Sequence, residues 1–343
     1  MESARDSMEE RKDTMLFQRS LCAAVLALGL ALIAGSANAQ VEVRHQGDKI
    51  AITIDGKPYS ELFLASPKTY LHPVRSASGK IVSRMYPMSE KEGELKDHPH
   101  HRGLWYGHGD INGIDFWANE TSYGDKRKNL GVEKLLKVLG TKSGKTEGSL
   151  RILLAWNDPA GKTLVEETRE MVFRKAGNSI IIDTDLQLKA VTDVKFGDTK
   201  EGVFALRTSP EFELAGRPRT PATPVRSGRM INANGEEGKP IWGKRAPWVD
   251  YSATVDGEKL GIAIFDHPRN PRHPTYWHAR EYGLFAVNPF GVHDFENDKT
   301  KDGSMSLKPG EQTRFRYRIV IHPGDEKDAN VQKLFDEYAG KAS

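Results

Sequence analysis

Histidine is the residue type whose placement in this chain first suggests chemistry. The chain carries 11 histidines. His98, His100, His101 and His108 fall in one short window, and His267, His273, His278 and His293 fall in a second. Imidazole titrates near neutrality, so such groups exchange protons with a hydroxyl or ring oxygen at working pH. The first window, residues 97–117, also holds Arg102, Trp105, Asp110, Asn112 and Trp117. The second, residues 266–294, begins at Asp266 and includes Arg272, Tyr276, Trp277, His278 and Asn288.

Three chemistries fit these residue types. The first is acid–base work on a sugar or sugar derivative. His101, His108, His267 and His273 are its proton carriers, and Glu201 or Asp266 supplies the carboxylate. Trp105, Trp117, Tyr276 and Trp277 would stack on a pyranose ring, while His98, His100, Arg102, Asp110, Asn112, Arg207, Arg272, His278 and Asn288 would hold hydroxyls. Glu201 and Arg207, six apart, share one face of an extended segment. The second chemistry is a divalent metal on His98 and His100, which leave the same face of an extended chain. A cupin-like site would need a glutamate where Leu104 and Trp105 stand, so no cofactor is favoured. In the third, the histidines only hydrogen-bond and pin two loops together. A small molecule or oligosaccharide is the expected ligand, bound either for conversion or by a non-catalytic binding module.

These residues need a scaffold, and the hydrophobic pattern supplies one. Ile180, Ile182, Thr184, Leu186 and Leu188 alternate with more polar neighbours, as do Phe315, Tyr317, Ile319 and Ile321 with Arg314, Arg316 and Arg318. Period-two alternation puts one strand face on a core and the other in water. Further strands are expected over 41–44, 50–54, 150–156, 172–174, 203–207, 249–255 and 260–265. Asp55-Gly56, Asp158 to Gly161, Gly177-Asn178 and Asp256-Gly257 read as hairpin turns between them. Val331, Leu334, Phe335 and Tyr338 recur at helical spacing. The expected fold is all-β, a large antiparallel β-sandwich with one C-terminal helix. The Pro-, Gly- and Arg-rich segment 217–243 is expected to be a long loop across one end, and the prolines of 266–278 mark that window as an ordered loop.

Residues 1–39 read as a cleavable secretory signal, with Met15 an alternative start. The apolar run from Leu21 to Ala34 is too short to span a membrane, follows Arg19, and precedes Ala37-Asn38-Ala39. Residues 40–343 would then form a single β-sandwich domain exported to the periplasm or beyond, with no membrane attachment after cleavage. The one cysteine, Cys22, lies inside the signal, which excludes thiol nucleophiles, disulfides and zinc ribbons from the mature chain. A net charge of +3 with interspersed signs gives no basic stripe, so nucleic acid is not an expected partner. Oligomeric state is not legible.

The wording of the windows resembles a known family. Asp-His-Pro-His-His-Arg-Gly-Leu-Trp at 97–105 and Gly-His-Gly-Asp-Ile-Asn-Gly-Ile-Asp-Phe-Trp at 107–117 resemble the bacterial family labelled methane oxygenase PmoA-like. The stretches 261–278 and 282–291 resemble it too. A membrane methane monooxygenase subunit needs several spanning helices, which the mature sequence lacks. More distantly, a histidine–glycine–arginine loop followed by tryptophan is similar to galactose mutarotase-like proteins. That resemblance implies a supersandwich fold, with a histidine (His101 or His108) protonating a ring oxygen and a carboxylate (Glu201, Asp266 or Glu281) taking the anomeric proton.

Overall fold

A computed structural model describes residues 40–65, 67–214 and 225–340. The secretory segment expected over 1–39 lies outside the described residues.

The strands follow in order as β1 (Val41–Gln46), β2 (Lys49–Ile54), β3 (Lys57–Phe63), β4 (Tyr70–His72), β5 (Leu104–His108) and β6 (Val132–Lys142). Next come β7 (Glu147–Asn157), β8 (Thr163–Ala176), β9 (Ser179–Ala190), β10 (Val194–Phe196), β11 (Gly202–Arg207) and β12 (Arg229–Asn232). The last are β13 (Trp248–Val255), β14 (Glu258–Asp266), β15 (Tyr276–Ala279), β16 (Leu284–Asn288), β17 (Met305–Leu307) and β18 (Gln312–Pro323). Helix α1 is Val331–Gly340.

Among the described residues two eight-stranded sheets form, with β10 and β17 as a separate ribbon. The first sheet runs β1-β2-β3-β4-β5-β11-β16-β15, and the second β12-β13-β14-β18-β9-β8-β7-β6. All paired strands are antiparallel. The expected all-β antiparallel sandwich is what forms. The hairpin turns at Asp55-Gly56, Asp158 to Gly161, Gly177-Asn178 and Asp256-Gly257 each join the strands they were expected to join. Asp55 and Asp256 have positive φ before their glycines, as tight turns require.

The core lies between the two sheets. Leu104, Tyr106, Phe204, Leu206, Phe285 and Val287 of the first sheet share one buried cluster with Ile152, Phe173, Ile182, Phe315 and Tyr317 of the second. Phe204 stacks on Tyr317 at 4.8 Å, and Tyr251 on Phe285 at 4.1 Å. Helix α1 covers part of the second sheet's outer face. Val331, Phe335 and Tyr338 pack there against Phe265, Val320 and Trp248, each large side chain contributing about 1.5–3 kcal/mol by leaving water.

Three expectations need correction. Residues 104–108 and 276–279, expected as loop, are strands β5 and β15 of the first sheet. Both are buried on both faces, so their sequences carry no alternation. Within 217–243, expected as one long loop, residues 229–232 form β12 at the edge of the second sheet. Strand β6 escapes sequence reading because bulges at Leu135/Lys137 and Val138/Gly140 twice break its period.

Candidate functional site

The outer face of the first sheet carries a row of paired residues that prepares the site. Tyr70 opposes Trp105, Trp105 opposes Ala205, Ala205 opposes Ala286, and Ala286 opposes His278. The two alanines leave room above the sheet, and Trp105 and Trp117 cluster with them there. The indole rings meet at 5.0 Å. Loop 97–103 and the segment 117–123 thus form a second layer over the strands.

Buried cations pin that layer. Arg84 donates to Asp97 Oδ1 at 2.6 Å and to the His98 carbonyl at 2.9 Å. Lys68 donates to the His100 carbonyl at 3.1 Å and to the Trp117 carbonyl, tying the two loop segments together. Gly103 brings the loop back to the sheet at φ +51°, where a Cβ would lie 2.2 Å from the Leu71 carbonyl oxygen, so only glycine fits.

A cavity of about 380 Å³ opens between this layer and the β15–β16 turn. His98, His100, His101 and Trp117 line one side, and His278, Arg280 and Tyr282 the other. Asp115, Arg127, Lys200 and Glu201 complete it. The two histidine windows therefore do meet, through His278 of the second.

Each imidazole has a definite role. His98 sits at φ +45°, a strained conformation for a residue that is not glycine, and it precedes Pro99. Its ring stacks between His101 at 4.8 Å and Tyr282 at 5.5 Å. Its Nδ1 stands 3.2 Å from Asp97 Oδ2, a contact rather than a well-angled hydrogen bond. Burial raises the Asp97 carboxyl, but His98, Arg207 and Arg84 outweigh it and hold that carboxyl well below the usual range. His98 is thus a partly open imidazole backed by a fixed carboxylate.

The other three are more enclosed, and burial is the main cause of their low pKa values. His100 is pushed down to about 2, with help from the charges on Lys68 and Arg127. His278 falls to about 3, and His101 lies well below the ordinary value. All three are neutral at pH 7, and one-way hydrogen-bond partners fix the tautomers of His101 and His278, whereas the Tyr123 hydroxyl at His100 Nδ1 can donate or accept. Arg207 can only donate, so the 3.0 Å contact makes His101 Nδ1 an acceptor and leaves Nε2–H for the cavity. The Lys200 carbonyl can only accept, so His278 donates from Nδ1 at 2.7 Å and keeps an Nε2 lone pair. One imidazole offers a donor and the other an acceptor.

Several expected site residues lie elsewhere. His108 accepts the Asp110 N–H at 3.0 Å and packs between Phe290 and Phe196, so it belongs to the core, its pKa driven down by burial to about 3. His267 lines a different surface cavity beside Tyr338, which shares no residue with the histidine cavity. His273 is 2.7 Å from Asp266 and stacks toward Phe335. Asp266 itself is buried and also accepts Asn270 and the Thr275 N–H, which is loop architecture. Trp277 points into the core and donates to the Ala246 carbonyl, while Tyr276 bonds Glu296. Trp105 lies behind His101, stacked at 5.3 Å. Asp110, Asn112 and Asn288 hold turns through backbone bonds. Arg272 spends its guanidinium on the carbonyls of Pro289, Gly303 and Ser304. Arg102 forms a double bond pair with Glu120, and Arg207 lies beneath the cavity, bonded to His101 and Asp97. Glu281 pairs loosely with Arg280 at 3.7 Å. His293, counted in the second window, pairs with Asp198 at 2.7 Å.

His98 and His101 stack with their planes 8° apart, and the His98 and His100 rings are 5.8 Å apart at 60°. Among the described residues no group of three or more His, Cys, Asp or Glu side chains is arranged to hold a metal ion.

Sequence reasoning missed Asp97 as the partner of His98, and Asp115, Arg127, Lys200, Arg280 and Tyr282 as cavity walls. A signal existed for two of them. Arg280 and Tyr282 follow His278 at spacing two, which continues one strand face.

No curated protein matches the chain. Among solved structures, it is similar to the GH36 alpha-galactosidase AgaA from Geobacillus stearothermophilus, with TM-score 0.37 and 12% identity over 83% of this chain and 41% of that one. It is similar to polysaccharide lyase BACCELL_00875, with TM-score 0.34 and 12% identity over 85% of this chain and 34% of that one. It is also similar to the Slr1438 protein from Synechocystis sp. PCC 6803, with TM-score 0.36 and 7% identity over 83% and 96% of the two chains. The chain spans about two fifths of the length of the galactosidase it matches. Residues 49–336 match the model of a family of unknown function, DUF6807, and the chain belongs to that family. The methane-oxygenase label is no part of that family's description.

Proposed function

We propose that this member of a family of unknown function binds a sugar or sugar derivative in the histidine cavity and exchanges protons with it there. The observation that carries this reading is that two imidazoles fixed in complementary states line one cavity, His101 with a free Nε2–H and His278 with a free Nε2 lone pair. A sugar presents several hydroxyls, each both donor and acceptor, so one ring can offer an acceptor to His101 and a donor to His278. Trp117 and Tyr282 are the aromatic residues that border the cavity, where sequence also suggested Trp105, Tyr276 and Trp277.

His98 is the group suited to move the proton. It is the most open of the cavity imidazoles, and Asp97 orients and balances it as carboxylates do for histidine bases. Glu201, also on the cavity and partly open, is the second proton-transfer group. Two such groups facing one ring suit epimerisation, elimination or hydrolysis. The enclosed His100, His101 and His278 serve binding.

The test is a thermal-shift screen of sugars on the purified protein, followed by NMR of the best ligand. A stabilising sugar whose spectrum changes with time supports the enzyme. Stabilisation without conversion makes the protein a binding module, and no stabilising sugar overturns the reading. The reading also places the protein outside the cytoplasm, on the strength of Leu21 to Ala34 and Ala37-Asn38-Ala39. Intact mass of the chain secreted by a bacterial host, starting at Gln40, is the expected result; an intact residue 1–39 segment rejects it.

A further inference from the structure

The charges around the cavity say more about its ligand, and this inference rests on the sugar reading above. Three cations line the cavity, Arg127, Lys200 and Arg280, against two carboxylates, Asp115 and Glu201. Arg127 stands 3.5 Å from Asp115 and Lys200 3.3 Å from Glu201, so those pairs balance. Arg280 has Glu281 at 3.7 Å and lies over the Tyr282 ring at 5.5 Å, so the rim carries no net charge of its own.

The surplus of positive charge lies in the layer beneath. Arg84 and Arg207, both buried, share the single carboxylate of Asp97 at 2.6 and 3.3 Å. Arg207 lies 4.8 Å from the Tyr282 ring, behind the cavity wall. Among the described residues its Nε–H and that of Arg84 have no hydrogen-bond partner, although both side chains are at most 2% exposed. Two like charges held close in a dry site repel each other, and each unmet N–H adds a desolvation cost. Burial and the neighbouring Arg84 charge accordingly push the Arg207 guanidinium down to about 9. Lys68, also buried, donates to the carbonyls of His100 and Trp117, but burial pushes its ammonium down to about 7, so it adds little to the surplus. An anion in the cavity would relieve this crowding, whereas a neutral ligand would not.

We propose that the cavity takes a sugar bearing one anionic group, a uronate or a sulfate ester, with Arg280 as the lining cation that meets it and Arg207 as the buried charge behind. A guanidinium fork suits the paired oxygens of either group.

Isothermal titration of the whole protein against glucose, galactose and mannose, their uronates and their sulfate esters tests this. The expected result is binding of an acidic series at least about tenfold tighter than its neutral parents. That lead should shrink as salt rises from about 0.05 to about 0.5 M. Arg280→Gln, a change at a partly open turn, should remove the lead of the acids over their neutral parents, whereas Arg280→Lys should keep most of it. The uronate and sulfate arms decide which anion is preferred. If neutral sugars bind as tightly as the acids, or if salt leaves the lead unchanged, the anionic proposal is overturned while the sugar reading stands. If no sugar of any series binds, the sugar reading itself falls.

Discussion

Along β9 buried and half-open side chains alternate, whereas β5, β11, β15 and β16 are buried at every position. The difference follows from what covers each sheet. The open part of the second sheet's outer face carries a ladder of paired charges. Asp183 takes Arg318 at 2.6 and 2.9 Å and also bonds Arg174, while Asp185 takes Arg314 and Arg316 at 2.6 to 3.2 Å. These ions keep their water, so the face stays plain. Over the first sheet a second layer of loops excludes water, and there the same residue types become costly unless partnered. Arg84, Arg207, Asp97 and the cavity histidines are held in fixed geometry for that reason. A charge in a ladder is interchangeable with its neighbours, and a charge under a lid is committed to one arrangement.

Substitutions in the two regions should therefore differ sharply. The largest effect is expected at His98. His98→Ala should lower conversion of the best sugar by about 10²–10⁴-fold with little change in melting temperature, as loss of a proton-transfer group does. Steady-state kinetics beside a melting curve check it, and an unchanged rate moves the proton transfer to another residue. Arg207→Met comes next. It leaves His101 Nδ1 without its partner while Asp97 keeps Arg84, at a cost of about 1–3 kcal/mol in urea denaturation. A loss below about 1 kcal/mol would place Arg207 with the ladder residues instead.

Acid distinguishes the regions at a smaller scale. Burial pushes the His278 pKa down to about 3 in the folded chain, against an ordinary value of 6.5. The unfolded chain takes up a proton below pH 6.5 that the folded chain refuses. The stability this group contributes is thus complete above pH 6.5 and falls as pH drops toward 3, by up to about 1.4 kcal/mol per unit. In His278→Gln that share of the acid slope should vanish, as denaturation at pH 7.5 and 5.5 would reveal (both about one unit from 6.5). The smallest effect belongs to the ladder itself. Arg314→Ala should cost less than about 1 kcal/mol, because Asp185 retains Arg316 and water. A cost near that of Arg207→Met would erase the contrast between the two faces.

The same contrast explains what could be read from the amino-acid order. Strands β9 and β18 announced themselves because one face of each meets water and the residue types alternate. Strands β5 and β15 did not, since a strand covered on both sides loses its period. Trp105 and Trp277 sit on opposite faces of the first sheet, yet in sequence each is a tryptophan beside histidines. Histidine density located the cavity, because burying many imidazoles needs a special environment. It could not separate His278, which faces the cavity, from His108, which packs between two phenylalanines. That choice is made by strand register and by which loop returns over which strand, and both depend on residues far away in the chain. Asp97 was visible as a neighbour of His98, but its role follows from Arg84 and Arg207, which arrive from other strands and loops.

Ala205 and Ala286 hold a place in this design out of proportion to their size. They form no polar contact with the cavity, yet they set the height at which the tryptophan-bearing loop layer rests on the sheet. A bulkier side chain at either position would jack that layer upward and change the clearance between His101 on one wall and His278 on the other. The cavity's depth can thus be retuned from below, through two methyl groups, with every polar residue left as it is.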